Sequence, residues 1–296
     1  MVIENDFLKV KVRELGAELT SVFDKKNETE HLWQADANIW NWHAPTLFPI
    51  VGCVRNDEIL VDGKKYKIEK HGFARKTNFK FVEQTALYLV FETESNETTK
   101  VQYPFNFRFQ IIYWLSEKEL FVRYTIINTD TKEILFSVGG HPAFNVPFFE
   151  NEKYEDYYIE FENDTNLERH HINADGFFDG RKSLVLNGTN KLQLHTQIFK
   201  DDALIFKNLK SKKVTIRSKN HNHFLSVSFS DFNYLGLWAK TNAPYVCIEP
   251  WLGCADDAST GSAQGNNFDK EFQEKEGIIR LPVGETFSAE YMIRIG

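Results

Sequence analysis

Three short stretches combine titratable side chains with apolar or glycine-rich surroundings, the setting in which proton-transfer chemistry is usually built. The first is Lys70-His71-Gly72-Phe73-Ala74-Arg75, the second Ser137-Val138-Gly139-Gly140-His141-Pro142-Ala143-Phe144-Asn145, and the third Ala243-Pro244-Tyr245-Val246-Cys247-Ile248-Glu249-Pro250-Trp251. Glu249 follows four apolar residues and precedes a proline, which cannot donate to a central ladder and so marks the expected end of a strand. A carboxylate there is partly desolvated, which raises its pKa toward the range of a useful general base. The same residue could equally cap a turn or pair with a nearby lysine. His141 lies between two glycines and a proline, where the backbone is fixed and another group can approach closely. Histidine gives and takes protons most readily near neutral pH. A histidine bonded to a backbone carbonyl would look the same in sequence, and His71, followed by Gly72, could be a turn residue. The pairs His170-His171 and His221-x-His223 lack a third ligand at a recognisable spacing, so no metal site is expected.

The elements that must hold these residues read as strands. Aromatic residues make up 15% of the chain, led by 26 Phe, a composition that suits pleated, half-buried surfaces. Phe7 to Val12, Val214 to Arg217 and Tyr291 to Arg294 alternate with a period of two. Phe107 to Asn128 predicts a hairpin turning at Ser116-Glu117-Lys118, and Lys213 to Ser230 another, turning at 219–222. A last strand pair is expected over Gly277 to Gly296, turning at 282–285. Helical signals are confined to short pieces near Ala35–Trp42 and Phe268–Glu276. Residues 255–267, rich in small and polar side chains, read as a long loop inside the fold. With neither repeat nor linker, the 296 residues are expected to form one domain, 1–296, an all-β antiparallel sandwich.

Composition narrows the function classes. A formal net charge of −7 argues against a nucleic-acid partner, which requires a basic footprint. The chain has no run of about 18 apolar residues that could span a membrane, and no secretory h-region at its start. Three cysteines without metal-ligand spacing suit a reducing cytosol, so a cytoplasmic location is expected. Neither a dinucleotide or phosphate loop nor a G-x-S-x-G elbow is present.

In order and spacing, the three stretches resemble the aldose 1-epimerase (galactose mutarotase) family, most closely its LacX-like branch, which is related to the hexose-6-phosphate mutarotases. The resemblance runs from Pro49-Ile50-Val51-Gly52 through His71-Gly72-Phe73-Ala74-Arg75, Gly140-His141-Pro142 and Glu249-Pro250-Trp251-Leu252-Gly253 to Leu281-Pro282-Val283-Gly284-Glu285. It implies a β-supersandwich with a sugar cleft, no metal or organic cofactor, and interconversion of the α and β anomers of an aldose such as galactose or glucose. It also implies Glu249 as base, His141 as acid and His71 as a sugar-orienting histidine. An aspartate against sugar hydroxyls aligns with Asp201-Asp202, where Asp202 is preferred because it abuts the apolar run Ala203 to Phe206. The family's arginine after the early glycine aligns with Cys53, a departure. Arg55, two residues on and therefore on the same face of a strand, is expected to reach the cleft instead. Arg75 raises the alternative of a hexose 6-phosphate, since a guanidinium suits phosphate. The departure at Cys53 raises that of a sugar-binding protein without turnover.

Overall fold

A computed structural model of the chain describes residues 1–259 and 270–296. Its frame is two large antiparallel sheets. The nine-stranded sheet runs in the order Lys191–Gln193, Tyr157–Phe161, Lys213–Ser218, Phe224–Ser228, Thr286–Ile295, Glu119–Asn128, Phe107–Ser116, Tyr88–Glu94, Lys80–Gln84. The eight-stranded sheet runs Phe178–Asn187, Asn166–Ile172, Leu204–Lys207, Tyr234–Trp238, Tyr245–Leu252, Val138–Gly140, Thr46–Leu47, with Ala143–Asn145 also paired to Tyr245–Leu252. A four-stranded sheet is built from the first 30 residues, ending with Thr29–Glu30. The expected all-β sandwich is therefore what forms.

Both predicted hairpins are present. Phe107–Ser116 pairs with Glu119–Asn128 in unbroken register from Phe107↔Asn128 to Ser116↔Glu119, and Lys213–Ser218 pairs with Phe224–Ser228. Phe107, Phe109, Ile111, Tyr113 and Leu115 are buried in alternation, as a strand with one covered face requires. The final pair differs from expectation. Ile279–Leu281 pairs with Ile134–Phe136, while Thr286–Ile295 lies between Glu119–Asn128 and Phe224–Ser228. The turn at 282–285 thus carries the chain from one sheet to another. Near Ala35–Trp42 there is only one turn, in which the Ile39 and Trp40 amides donate to the Asp36 carbonyl. Phe272–Glu274 forms a 3₁₀ turn inside the second helical stretch, whose residues 268 and 269 lie outside the described residues, as do 260–267 of the expected loop.

The sheets meet through aromatic rings. Phe48 packs at 4.7 Å from Phe109, 5.1 Å from Phe107 and 5.8 Å from Phe136, ring centre to ring centre. One apolar cluster extends from Ile3 to Ile295 and takes in residues of both sheets. Gly140 is where they approach most closely beside the site: a Cβ there would stand 2.9 Å from Tyr291 and 3.0 Å from the Tyr124 hydroxyl. The glycine before His141 therefore serves close approach of the opposing sheet.

Candidate active site

The cleft lies on the eight-stranded sheet, and its floor is the Tyr245–Leu252 strand. That strand is buried along its whole length and does not end at Glu249 as Pro250 suggested. The Trp251 carbonyl accepts from the Asn233 amide on the Tyr234–Trp238 side, so the alternation turns Pro250 the other way. There the neighbouring chain is interrupted between Val138–Gly140 and Ala143–Asn145, and no ladder donor is needed. His141 occupies that interruption. The same break that accommodates the proline thus places the histidine beside Glu249.

His141 Nε2 lies 3.0 Å from Glu249 Oε2, and both side chains are almost wholly buried. The contact does not meet hydrogen-bond geometry, so Oε2 is left without a hydrogen-bond partner among the described residues, as is His141 Nδ1. Burial pushes the Glu249 carboxyl well above the usual carboxylate range. Lys70 opposes that shift and Asp202 reinforces it. The Trp251 indole N–H, itself unpartnered, faces the carboxylate closely enough to favour its ionised form. Burial also takes His141 down to about 3.

Four of the six tryptophans, Trp40, Trp42, Trp238 and Trp251, line the cleft, a cavity of about 290 Å³. Trp40 stacks on the His141 ring at 5.1 Å and Trp238 meets it edge-on at 5.9 Å, which fixes the imidazole plane. A small cavity with aromatic walls and a few convergent polar groups suits one small polar ligand with apolar faces.

His71 and Asp202 line the same cleft. His71 has φ of +66° and is followed by Gly72 at +69°, a strained pair held because the Phe73 and Ala74 amides both donate to the Phe48 carbonyl. The Gly52 amide donates to His71 Nδ1 at 3.1 Å. Burial, then the nearby cations, hold this imidazole well below its ordinary value, so it is neutral and carries its proton on Nε2. Asp202 sits in a left-handed turn at φ +75°, with its carboxylate accepting from the Ala203 amide. Asp201 is exposed and pairs with Arg169 at 3.7 Å, away from the cleft lining.

The expectation for Arg55 is overturned. After Gly52 the chain is not extended: Arg55–Asp57 is a 3₁₀ turn with Asn56 and Asp57 in the left-handed region, so the two-residue alternation does not apply. Arg55 lines a different cavity, of about 260 Å³, and donates to the Asp257 carbonyl at 2.5 Å. Cys53 is buried beside Gly176, where a Cβ would come within 2.9 Å of its sulfur. Arg75 does line the cleft. It donates to the Lys70 carbonyl at 2.8 Å and lies over the Trp42 ring at 5.7 Å, while its Nε is buried without a partner.

Sequence reasoning missed Lys70 and the tryptophan walls. Lys70 directly precedes His71, so its place in the motif was visible, whereas the tryptophans come from separate loops and strands that no local pattern links. Of the weaker histidines, His171 bonds Ser183 at 2.7 Å. His223 meets the buried His31 at 3.2 Å, with Asp24 close by. The Asp24 oxygens already accept from the Lys26 and Asn27 amides and the Asn27 side chain.

A carboxyl and an imidazole in contact, set on an aromatic-walled cleft in a two-sheet sandwich, can exchange protons with a small polar ligand. A family model described as Aldose 1-epimerase matches residues 1–291, and the chain belongs to that family. It is an isomerase of the mutarotase type. The plasmid-encoded protein LacX of Lactococcus lactis subsp. lactis is 35% identical, over 99% of this chain and 98% of that protein. A galactose mutarotase related enzyme from Lactobacillus acidophilus superposes with a TM-score of 0.92 at 34% identity, covering 100% of this chain and 97% of the other. A galactose mutarotase-like protein from Lactobacillus casei gives 0.90 at 30%, covering 100% and 99%. Among the described residues no helix is long and apolar enough to cross a membrane.

Proposed function

We propose that the protein interconverts the α and β anomers of a free aldohexose such as galactose or glucose, with Glu249 as the base and His141 as the acid. The observation that carries this reading is the 3.0 Å contact between two deeply buried titratable groups on the cleft. Glu249 takes the proton from the C1 hydroxyl as His141 gives one to the ring oxygen. The C1–O5 bond breaks and an aldehyde forms. Rotation about C1–C2 presents the other face, and the steps run in reverse. No covalent bond to the protein is needed. His71, with its Nε2 proton, and Asp202, an acceptor, would hold the sugar hydroxyls. The whole chain, 1–296, acts as one catalytic domain, and its three buried free thiols fit a cytoplasmic setting.

A second substrate class is favoured by one observation: Arg75 reaches the cleft with a buried, unpartnered Nε beside Lys70. Its other contacts, to the Lys70 carbonyl and the Trp42 face, weigh toward a wall rather than a phosphate clamp. The intact Glu249–His141 contact weighs against a binder without turnover.

Magnetisation transfer between the α and β C1 protons of galactose, glucose and glucose 6-phosphate tests both classes. Glu249→Gln should cost about 10²–10⁴-fold, and exchange at the wild-type rate in that variant would remove Glu249 from the mechanism. Arg75→Ala should affect free sugar and sugar phosphate alike; a selective loss of the phosphate would assign the second class.

A further inference from the structure

The charges around the catalytic pair do not balance in the way its chemistry needs unless one more residue takes part. Glu249 faces His141, Lys70, Asp202, Trp251 and, two residues back on its own strand, Cys247. Asp202 adds a second carboxylate to the same cleft. Asp202 is exposed at the rim, so burial is what chiefly opposes the charge of Glu249, and a base held there is helped by a cation. The cleft lining offers two, Lys70 and Arg75. Arg75 is spoken for by the Lys70 carbonyl and the Trp42 ring, and it bears on His71 and His141 rather than on Glu249.

Lys70 is placed differently. Among the described residues its ammonium has no ion pair, because the adjacent Glu69 is bound to Lys76. It stands over the wall made by Cys53 and Gly176: a Cβ on Gly176 would lie 4.0 Å from Lys70 Nζ and 2.9 Å from Cys53 Sγ. Gly176, at φ +83°, leaves that space open. The charge of Lys70 acts on Glu249, His141 and His71 in the cleft and on the neighbouring Cys53.

We infer that Lys70 is the positioning cation of the catalytic pair: its ammonium, exposed on the cleft next to His71, favours the ionised form of Glu249 against burial. The inference rests on Glu249 being the base. Removing a positive charge favours protonation at every step, so both limbs of the pair's titration move to higher pH when Lys70 is neutralised. A loss of packing, or of one sugar contact, would lower the rate without moving the limbs.

Labelling glutamate side chains with ¹³C gives a carboxyl resonance that Glu249→Gln removes and so identifies. In Lys70→Met the titration midpoint of that resonance should rise by about one pH unit. In Lys70→Arg it should stay at the wild-type value, with the unfolding midpoint unchanged in both. The pH profile of kcat/KM for galactose should move up by the same amount at both limbs, a loss of about tenfold on the acid side. An unmoved Glu249 midpoint in Lys70→Met overturns the inference, as does a uniform fall in kcat/KM with fixed limbs. Full activity of Glu249→Gln would remove the base assignment alone, since the carboxyl titration still decides what Lys70 does.

Discussion

Burial moves Glu249 up and His141 down to about 3, so it disfavours the charged form of both groups. The two are in contact, and the pair is best described as sharing one proton. In the proposed mechanism the reaction uses that single-proton form, because moving the proton from carboxyl to imidazole creates a base and an acid at once. A second proton silences the base, and loss of the first silences the acid. The rate should therefore be bell-shaped in pH, with limbs that belong to the pair. His141→Gln should cost about 10²–10⁴-fold. Adding Glu249→Gln to that variant should cost little more, since residues acting as a unit are not additive. Losses that multiply in the double variant, measured by anomer exchange, would mean that the two act in separate steps.

The elements decide whether that pair can form. The Gly72 carbon lies against the Phe48 carbonyl, where a Cβ would come within 2.2 Å at a φ of +69°. Phe48 is the centre of the aromatic core and His71 is the next residue, so strain at Gly72 reaches both core and cleft. Gly72→Ala should destabilise the fold by about 3 kcal/mol or more. Gly284→Ala, at φ +75° with nothing within 4 Å of its Cβ, should cost only about 1 kcal/mol. Denaturant unfolding separates the two, and equal losses would show that φ rather than contact governs. Elements closed by their own turn, such as Phe107–Ser116 with Glu119–Asn128, were legible in the sequence because pairing and alternation are local. The Ile279–Leu281 strand was not, since its partner Ile134–Phe136 lies far away in sequence. Pro250 misled because a strand end and a break in the neighbouring strand look alike from one chain. His141 and Glu249 stood out through their immediate neighbours. Arg55 was misplaced because the left-handed residues Asn56 and Asp57 carry no fixed sequence mark.

Across the whole molecule, the buried histidines tie stability to pH. Burial holds His31 at about 3 and His43 at about 4, and keeps His71 well below its ordinary value. Each takes up a proton near pH 6.5 when the chain unfolds, so the unfolded state binds more protons and stability falls as pH drops below that point. Glu18 is moved the other way, held above its ordinary value by burial. Each of these three histidines corresponds to about 1.4 kcal/mol lost per pH unit below about pH 6. His31→Gln keeps a polar group beside His223 and removes one of those protons. It should be less stable than wild type at pH 7, yet lose about 1.4 kcal/mol less per pH unit on acidification. Denaturant unfolding at pH 7, 6 and 5 reads this as converging stabilities; parallel lines for the two proteins would show that His31 is not among the groups that couple folding to acid.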